Sequence, residues 1–274
     1  MSSPPIVSLL TDFGLADAYV GVMKGVILAA CPQCRLVDLT HEVPPQAVVT
    51  GAYLLESAWR YFPAGTIHLA VVDPGVGTSR RRLALAAGGH ILVGPDNGLL
   101  SAALPDAIRG PRRPGEAYSP RLLPLPAGVE GVAIEPGPGP VSATFEGRDV
   151  FARAAARLAA GESLAGIGAA VRDAFAMPAF RAPQAADGRV HGLILHADRF
   201  GNLLTDIDAA SLPSRPIFRA GGREFRPAPT YGDAPGLAAI VSSNGRIEIA
   251  VPNGSAAAET GLRPGDAVLV EAAG

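Results

Sequence analysis

Residues 66–77 read TIHLAVVDPGVG: a short run, apolar except at Thr66 and His68, that breaks into an aspartate, a proline and a pair of glycines. An amphipathic helix needs polar residues at every third or fourth place, and a half-buried strand alternates. A nearly continuous apolar run this short fits a strand covered on both faces, the hallmark of an α/β sheet. Working outward, residues 6–10 and 35–39 read as further strands, and 18–30 and 48–61 as helices. In the second helix Tyr53, Leu54, Ala58 and Trp59 can share one apolar side. Residues 82–86 and 90–93 flank Gly88-Gly89, the signature of a hairpin. Alternation of this kind predicts an α/β domain.

The pattern changes twice downstream. Residues 111–140 are rich in proline and glycine, with PGPGP at 136–140, and read as a long surface excursion inserted into the domain. Strand and helix patterns resume over 141–168, with a helix expected at 150–158. A second break, MPAFRAPQAADG at 177–188, reads as a linker. Beyond it come short strands and tight turns at 190–195, 223–226, 238–241, 247–251 and 267–271, without a helix of normal length. The expected architecture is an α/β N-terminal domain over 1–176 and an all-β C-terminal small barrel, or a sandwich, over 188–274.

Composition narrows the function classes. The chain has 274 residues, 48% hydrophobic and 18% charged, with a formal net charge of −2, so it has core enough for two domains and no basic surplus that would favour nucleic acid or an anionic membrane. The N-terminus MSSPPIVSLL lacks a basic leader and a long apolar segment, which points to the cytoplasm. Cys31 and Cys34 have no partner pair for a metal and no thioredoxin-like setting, so they read as two reduced thiols at a helix–strand turn. Lys24 is the single lysine, which leaves little room for Schiff-base chemistry.

Polar residues just after strands lie where α/β sheets open onto crevices. Three such places stand out: Asp12 in LLTDFG, Asp73 in VVDPGVG with Arg80, Arg81 and Arg82 close behind, and Asp96-Asn97-Gly98 in GPDNG. Each has a plain structural alternative. Asp12 suits a helix N-cap, and Asp-Asn-Gly is a common turn. The glycine-rich loop lacks the lysine and spacing of a P-loop.

Seven motifs in order, LLTDFG, DLTHEVPP, GTIHLAVVDPGVGTSRR, LVGPDNGLL, TFEGRDVFA, HADRFGNLLTDI and SSNGRIEIAVPNGSAA, resemble the SAM hydroxide adenosyltransferases, relatives of the fluorinase and chlorinase that use S-adenosylmethionine (SAM). The resemblance covers nearly all of the chain outside 111–140. It implies hydrolysis of SAM at the ribose C5′ to adenosine and methionine, with SAM as substrate and no added cofactor or metal. It further implies a homotrimer with SAM between one subunit's N-domain and its neighbour's C-domain. Asp12 falls where the family binds ribose, a sensible use of two adjacent acceptor oxygens. Phe200, Asn202, Ser243, Glu248 and Val251 fall in segments that contact the adenosyl or methionine part. Phe200 as ordinary core and Glu248 as an exposed edge-strand charge are the structural alternatives.

The family's water-activating set is Asp, Arg and His. Asp73 and Arg80 match the first two, and Arg80 can hold Asp73 in a bidentate fork. Glu146 in TFEGRD stands where the histidine is expected. A histidine, with an unperturbed pKa of about 6.5, is a better base than a glutamate at about 4.3. Burial would raise the Glu146 carboxyl and a nearby Arg80 would lower it. Two other readings remain: a SAM or adenosine binder without turnover, and a halogenase, which two carboxylates near C5′ disfavour because they repel a halide. Arg148 and Asp149 read as a structural turn before the following helix. The glycine-rich first turn of a Rossmann methyltransferase is absent from LLTDFG.

Overall fold

Every residue of the apolar run's strand is buried, and it lies near the middle of a seven-stranded sheet. The structure is a computed structural model describing residues 3–273; Met1, Ser2 and Gly274, which the N-terminal and domain-limit readings include, lie outside the described residues. Two compact units result.

The first unit runs through Arg109 and resumes over Ser119–Met177. Its elements are β1 (Ile6–Thr11), α1 (Tyr19–Ala30), β2 (Arg35–Thr40), α2 (Val48–Ala58), β3 (Ile67–Val71), β4 (Arg82–Ala87), β5 (His90–Pro95), α3 (Asp106–Arg109), β6 (Arg121–Pro124), β7 (Val129–Ile134), α4 (Arg153–Ala159), β8 (Gly168–Val171) and β9 (Asp173–Ala176). The sheet order is β2-β1-β3-β5-β4-β7-β8. The first four are parallel and the rest antiparallel. Val7, Leu9, Ile67, Leu69 and Val71 share a core with Met23 and Ile27 of α1 and with Phe151 and Ala155. Trp59 and Phe62 set ring edges against His68 of β3. Burying each large aliphatic side chain contributes about 1.5–3 kcal/mol, so sheet position follows from where the apolar residues fall.

Three expectations are corrected here. Residues 111–140 are not a bare excursion: β7 pairs along β4 from Leu83↔Ala133 to Ala87↔Val129. The prolines and glycines bound this strand rather than abolish it. Gly131 packs closely within it: a Cβ there would sit 2.8 Å from the side chains of Leu85 and Leu125, which would have to shift. The helix expected at 150–158 begins earlier, as a π-helical turn over Gly147–Ala152 that runs into α4. Cys31 and Cys34 form a disulfide rather than two thiols. Cys31 caps α1 and the Cys34 amide donates to its carbonyl at 3.0 Å, a tight turn that brings two buried side chains together.

The second unit comprises Gly110–Tyr118 and the chain from Pro178 onward. Its strands are β10 (Val190–Ala197), β11 (Leu203–Asp208), β12 (Pro216–Ala220), β13 (Arg223–Phe225), β14 (Ala238–Val241), β15 (Arg246–Ala250) and β16 (Ala267–Ala272), with a short α5 (Ala256–Thr260). The order β13-β12-β16-β10-β11-β15-β14 is antiparallel throughout. A bridge from Pro227, just past β13, to Ala239 in β14 brings the sheet's ends together, so it is barrel-like and nearly closed. β11 and β12 add to the strands expected from sequence.

The opening of the supposed excursion is fastened into this unit by charge. Arg112 donates to Asp206 Oδ2 from Nε at 3.1 Å and from Nη2 at 3.0 Å, and the Tyr118 hydroxyl donates to the same oxygen at 2.9 Å. The Leu193 amide donates to Asp206 Oδ1 at 2.7 Å. Burial pushes the Asp206 carboxyl up, and Arg112 with the other donors offsets only part of that. Removing one partner of a buried pair strands the other charge. Arg112→Met is therefore expected to cost about 3 kcal/mol at neutral pH, and Tyr118→Phe about 1 kcal/mol. Thermal and urea unfolding of the two variants checks both the size and the order.

Candidate active site

Neighbouring parallel strands deliver two carboxylates to one crevice. Thr11, the last residue of β1, lies in register with Val71, the last of β3, so Asp12 and, one position further along, Asp73 leave the same end of the sheet. Asp12 caps no helix: α1 has Ala18 at its N-cap, without a side-chain bond. Instead its Oδ2 accepts from the Gln46 amide at 2.8 Å. Gln46 sits at φ 66, a left-handed conformation that is costly for a residue with a side chain and is commonly kept at functional sites. Thr11 steadies the same corner, its hydroxyl 2.8 Å from His41 Nδ1.

The loop after β3 is held from two sides. Asn97 of the Asp-Asn-Gly turn donates to the Val72 carbonyl at 2.9 Å, and the Thr78 hydroxyl donates to the Gly75 carbonyl at 2.7 Å. Gly77, at φ 78, lets the loop touch the one before Glu146; a Cβ there would lie 2.5 Å from the Ala143 carbonyl oxygen. Asp96, by contrast, is structural, accepting from Arg81 Nε and from the Phe175 amide, each at 2.7 Å.

Arg80 occupies the space between two acids. Its Nε donates to Asp73 Oδ1 at 2.9 Å while Nη2 donates to Asp73 Oδ2, which is the expected fork. The same Nη2 also donates to Glu146 Oε2, and Arg82 Nη2 donates to Glu146 Oε1. The Arg80 guanidinium carbon lies 5.3 Å from the centre of the Phe151 ring, a cation–π contact that fixes it further. Burial pushes the Glu146 carboxyl up, but Arg82 and Arg80 together hold it below the ordinary glutamate value. Both arginines thus keep Glu146 ionised as a fixed acceptor rather than a base tuned toward neutrality. Glu146 directly precedes the π-helical turn, a deviation that often marks functional positions. Arg148 and Asp149 brace that turn. Arg148 chelates Asp149 at 2.7 and 2.8 Å, Asp149 accepts from the Ser142 amide at 2.9 Å, and Arg148 foremost holds the Asp149 carboxyl down to about 2.

Asp12, Asp73 and Glu146 line one cavity of about 420 Å³ together with Phe13, Tyr19 and Phe145. The three rings contact one another, with centroids 5.0–6.0 Å apart. Carboxylates and aromatic faces around one space suit a cation. The ring cluster is not singled out by the sequence, and Arg82 is named there only as one of three arginines close behind Asp73, without a role. The sign of Arg82 was present in the Arg-Arg-Arg run at the start of a strand, where alternate residues face the same side.

The second unit holds its own cavity of about 760 Å³, lined by Phe200, Asn202, Tyr231 and Val251 among others. Phe200 is 75% exposed, so it is not core. Asp198 fixes its turn, accepting from the Phe200 and Asn202 amides at 2.9 and 2.8 Å and from Asn202 Nδ2 at 3.1 Å. Gly201 is required there, since a Cβ would lie 2.0 Å from Ser255 Oγ. Glu248 is buried rather than an exposed edge charge, and it reaches the cavity only by accepting from the Tyr231 hydroxyl. That bond pushes the Tyr231 phenol up to about 12. Ser243 lies on an exposed turn and does not line the cavity. Among the described residues no cluster of three metal-ligating side chains occurs, and no helix is long and apolar enough to cross a membrane.

Family models match in two consecutive pieces: the SAM hydroxide adenosyltransferase N-terminal domain over residues 7–168 and its C-terminal domain over 192–269. A relative named (R)-S-adenosyl-L-methionine hydrolase from Salinispora tropica is 43% identical, aligned over 99% of this chain and 100% of its own. One of the same name from Thermus thermophilus is 42% identical over 94% and 96%. More distant is a fluorinase from an Actinoplanes species, 30% identical over 76% of this chain and 73% of its own. A crystal structure of an uncharacterized conserved protein from Thermotoga maritima superposes with TM-score 0.81 at 31% identity, covering 96% of this chain and 99% of that one. With both domains matched in order and such relatives aligned end to end, the chain belongs to the SAM hydroxide adenosyltransferase family.

Proposed function

We propose that this protein hydrolyses SAM, and that it shares with its named relatives a preference for the R form at the sulfonium. Water attacks C5′ and the C5′–S bond breaks with its electron pair left on sulfur. The products are methionine, adenosine and one proton. The observation that carries this reading is the Asp73–Arg80 fork in the cavity that Asp12 and Glu146 also line. Asp73 accepts a hydrogen bond from the attacking water and takes up its proton. Glu146, held by two arginines, positions that water. Asp12 accepts from the ribose hydroxyls, while Phe200, Asn202 and Val251 meet the adenosyl or methionine part, with Tyr231 kept in place by Glu248. No role follows for Ser243 from its exposed turn.

The homotrimer, with a site completed by a neighbouring copy, and the cytoplasmic location belong to the same proposal. Sedimentation of the purified protein tests the first.

Incubation of the R and S epimers of SAM with the protein is expected to release adenosine and methionine in equal amounts, faster from the R form, by chromatography. Asp73→Ala should lower that rate by about 100-fold or more, the usual worth of a positioned acid–base group. SAM binding without product would instead favour the binder reading. Added chloride or fluoride is expected to leave the adenosine rate unchanged and to yield no halogenated nucleoside, because three carboxylates line the cavity. Phe200→Ala should raise KM by about 10-fold with a smaller change in kcat, in line with one lost stacking contact. Initial rates over a range of SAM concentrations separate the two constants.

A further inference from the structure

Residues 80–82 are three arginines with two different jobs. Arg81 turns to Asp96 and Asp173, each at 2.7 Å, whereas Arg80 and Arg82 both reach Glu146. Alternation along an extended chain sends residues two apart to the same side. We propose that Arg82 is a positioning residue of this site, acting through Glu146 to hold its carboxylate as a fixed, charged acceptor at the attacking water. The inference rests on the SAM hydrolase reading above.

Three observations carry it. Glu146 is only 1% exposed, and a carboxylate this buried needs a paired cation. Arg80 cannot serve alone, because its Nε and Nη2 already hold Asp73 and only the shared Nη2 reaches Glu146. With Arg82, two carboxylates meet two guanidiniums. Without it, the same space carries one uncompensated negative charge. Finally, Arg82 does not line the cavity. It starts β4 in register with Pro95, and its Nε has no hydrogen-bond partner among the described residues, so Glu146 is what its guanidinium engages.

The charged and titratable groups facing Glu146 are Asp73 and Arg80 from the loop after β3 and Arg82 from β4. Asp12 and Tyr19 line the same cavity. Burial raises the Glu146 carboxyl, and Arg82 then Arg80 bring it below its ordinary value. Taking Arg82 away removes a lowering influence, so the carboxyl titrates at higher pH. The reaction needs it charged, so the acid limb of the rate profile moves upward in pH.

The test measures adenosine release from SAM by the unaltered protein, Arg82→Gln, Arg82→Lys, Glu146→Gln and the Arg82→Gln/Glu146→Gln double variant, each across pH. Arg82→Gln is expected to lower kcat about 10-fold, as a slightly misplaced group does, with KM within about twofold and the acid limb displaced upward. Arg82→Lys should recover part of kcat, since it restores the charge without the planar fork. In the Glu146→Gln background, adding Arg82→Gln should change kcat by less than about twofold, because the two act as one unit. An unmoved acid limb with unchanged kcat in Arg82→Gln, or an equal loss in the Glu146→Gln background, overturns the proposal. If Arg82→Gln fails to fold, as judged by circular dichroism and melting, Arg82→Lys decides: full kcat with an unmoved acid limb assigns Arg82 to stability alone and overturns it. Absence of adenosine from the unaltered protein overturns the hydrolase reading as well, and so is distinguished from failure of the Arg82 role.

Discussion

Two carboxylates bonded to one guanidinium nitrogen repel each other at close range. At an effective dielectric of about 20, unit charges about 4 Å apart interact by about 4 kcal/mol, a large share of the stability of a single domain. Asp73 and Glu146 can stay close only because Arg80 lies between them and Arg82 backs the second. This requirement ties together the loop after β3, the first residue of β4 and the residue before the π-helical turn. The surrounding loops serve that arrangement: Gly77 allows the two backbones to touch, and Asn97 and Asp149 pin them from either side.

The sheet beneath these loops is legible in the sequence wherever burial is local. A strand covered on both faces leaves a nearly unbroken apolar run, and residues 66–72 show it without help from the rest of the chain. The Gly88-Gly89 hairpin is equally local, with both glycines at positive φ. β7 is harder to see. Its six residues sit among prolines and glycines, and it is a strand because β4 offers it a partner. The segment Gly110–Tyr118 is harder still. What places it is the bond from Arg112 to Asp206, residues 94 apart, and no window of sequence contains both. Local reading therefore finds the sheet's centre and loses the segments that only distant partners define.

The site divides in the same way. Asp12, Asp73, Arg80 and Glu146 were readable because each follows a strand or stands in a motif, and the structure gathers them in or against one cavity. Phe200, Asn202 and Val251 line the other. What sequence did not supply is how these residues are supported. Tyr231 is bonded to Glu248, 17 residues away, and the aromatic trio of Phe13, Tyr19 and Phe145 assembles from two loops and a helix. Glu146 lies below its ordinary pKa because Arg82 and Arg80 together outweigh burial, and the reach of Arg82 depends on the strand it begins. Burial alone would have given the opposite sign.

That sign bears on how a glutamate can stand where a histidine is expected. In the substrate the positive charge is on sulfur. As the C5′–S bond breaks, sulfur becomes neutral and the charge passes to the incoming oxygen, which becomes steadily more acidic. The leaving group needs no proton, and the water sheds its own only after bonding to carbon has begun. A strong base is then less useful than negative charge fixed where the new positive charge develops, since only interactions that strengthen toward the transition state speed the reaction. Carboxylates held rigidly by arginines meet that demand with little reorganisation. A glutamate kept ionised below its ordinary pKa is thus a workable member of the set, provided that its orientation, rather than its basicity, is what the site maintains.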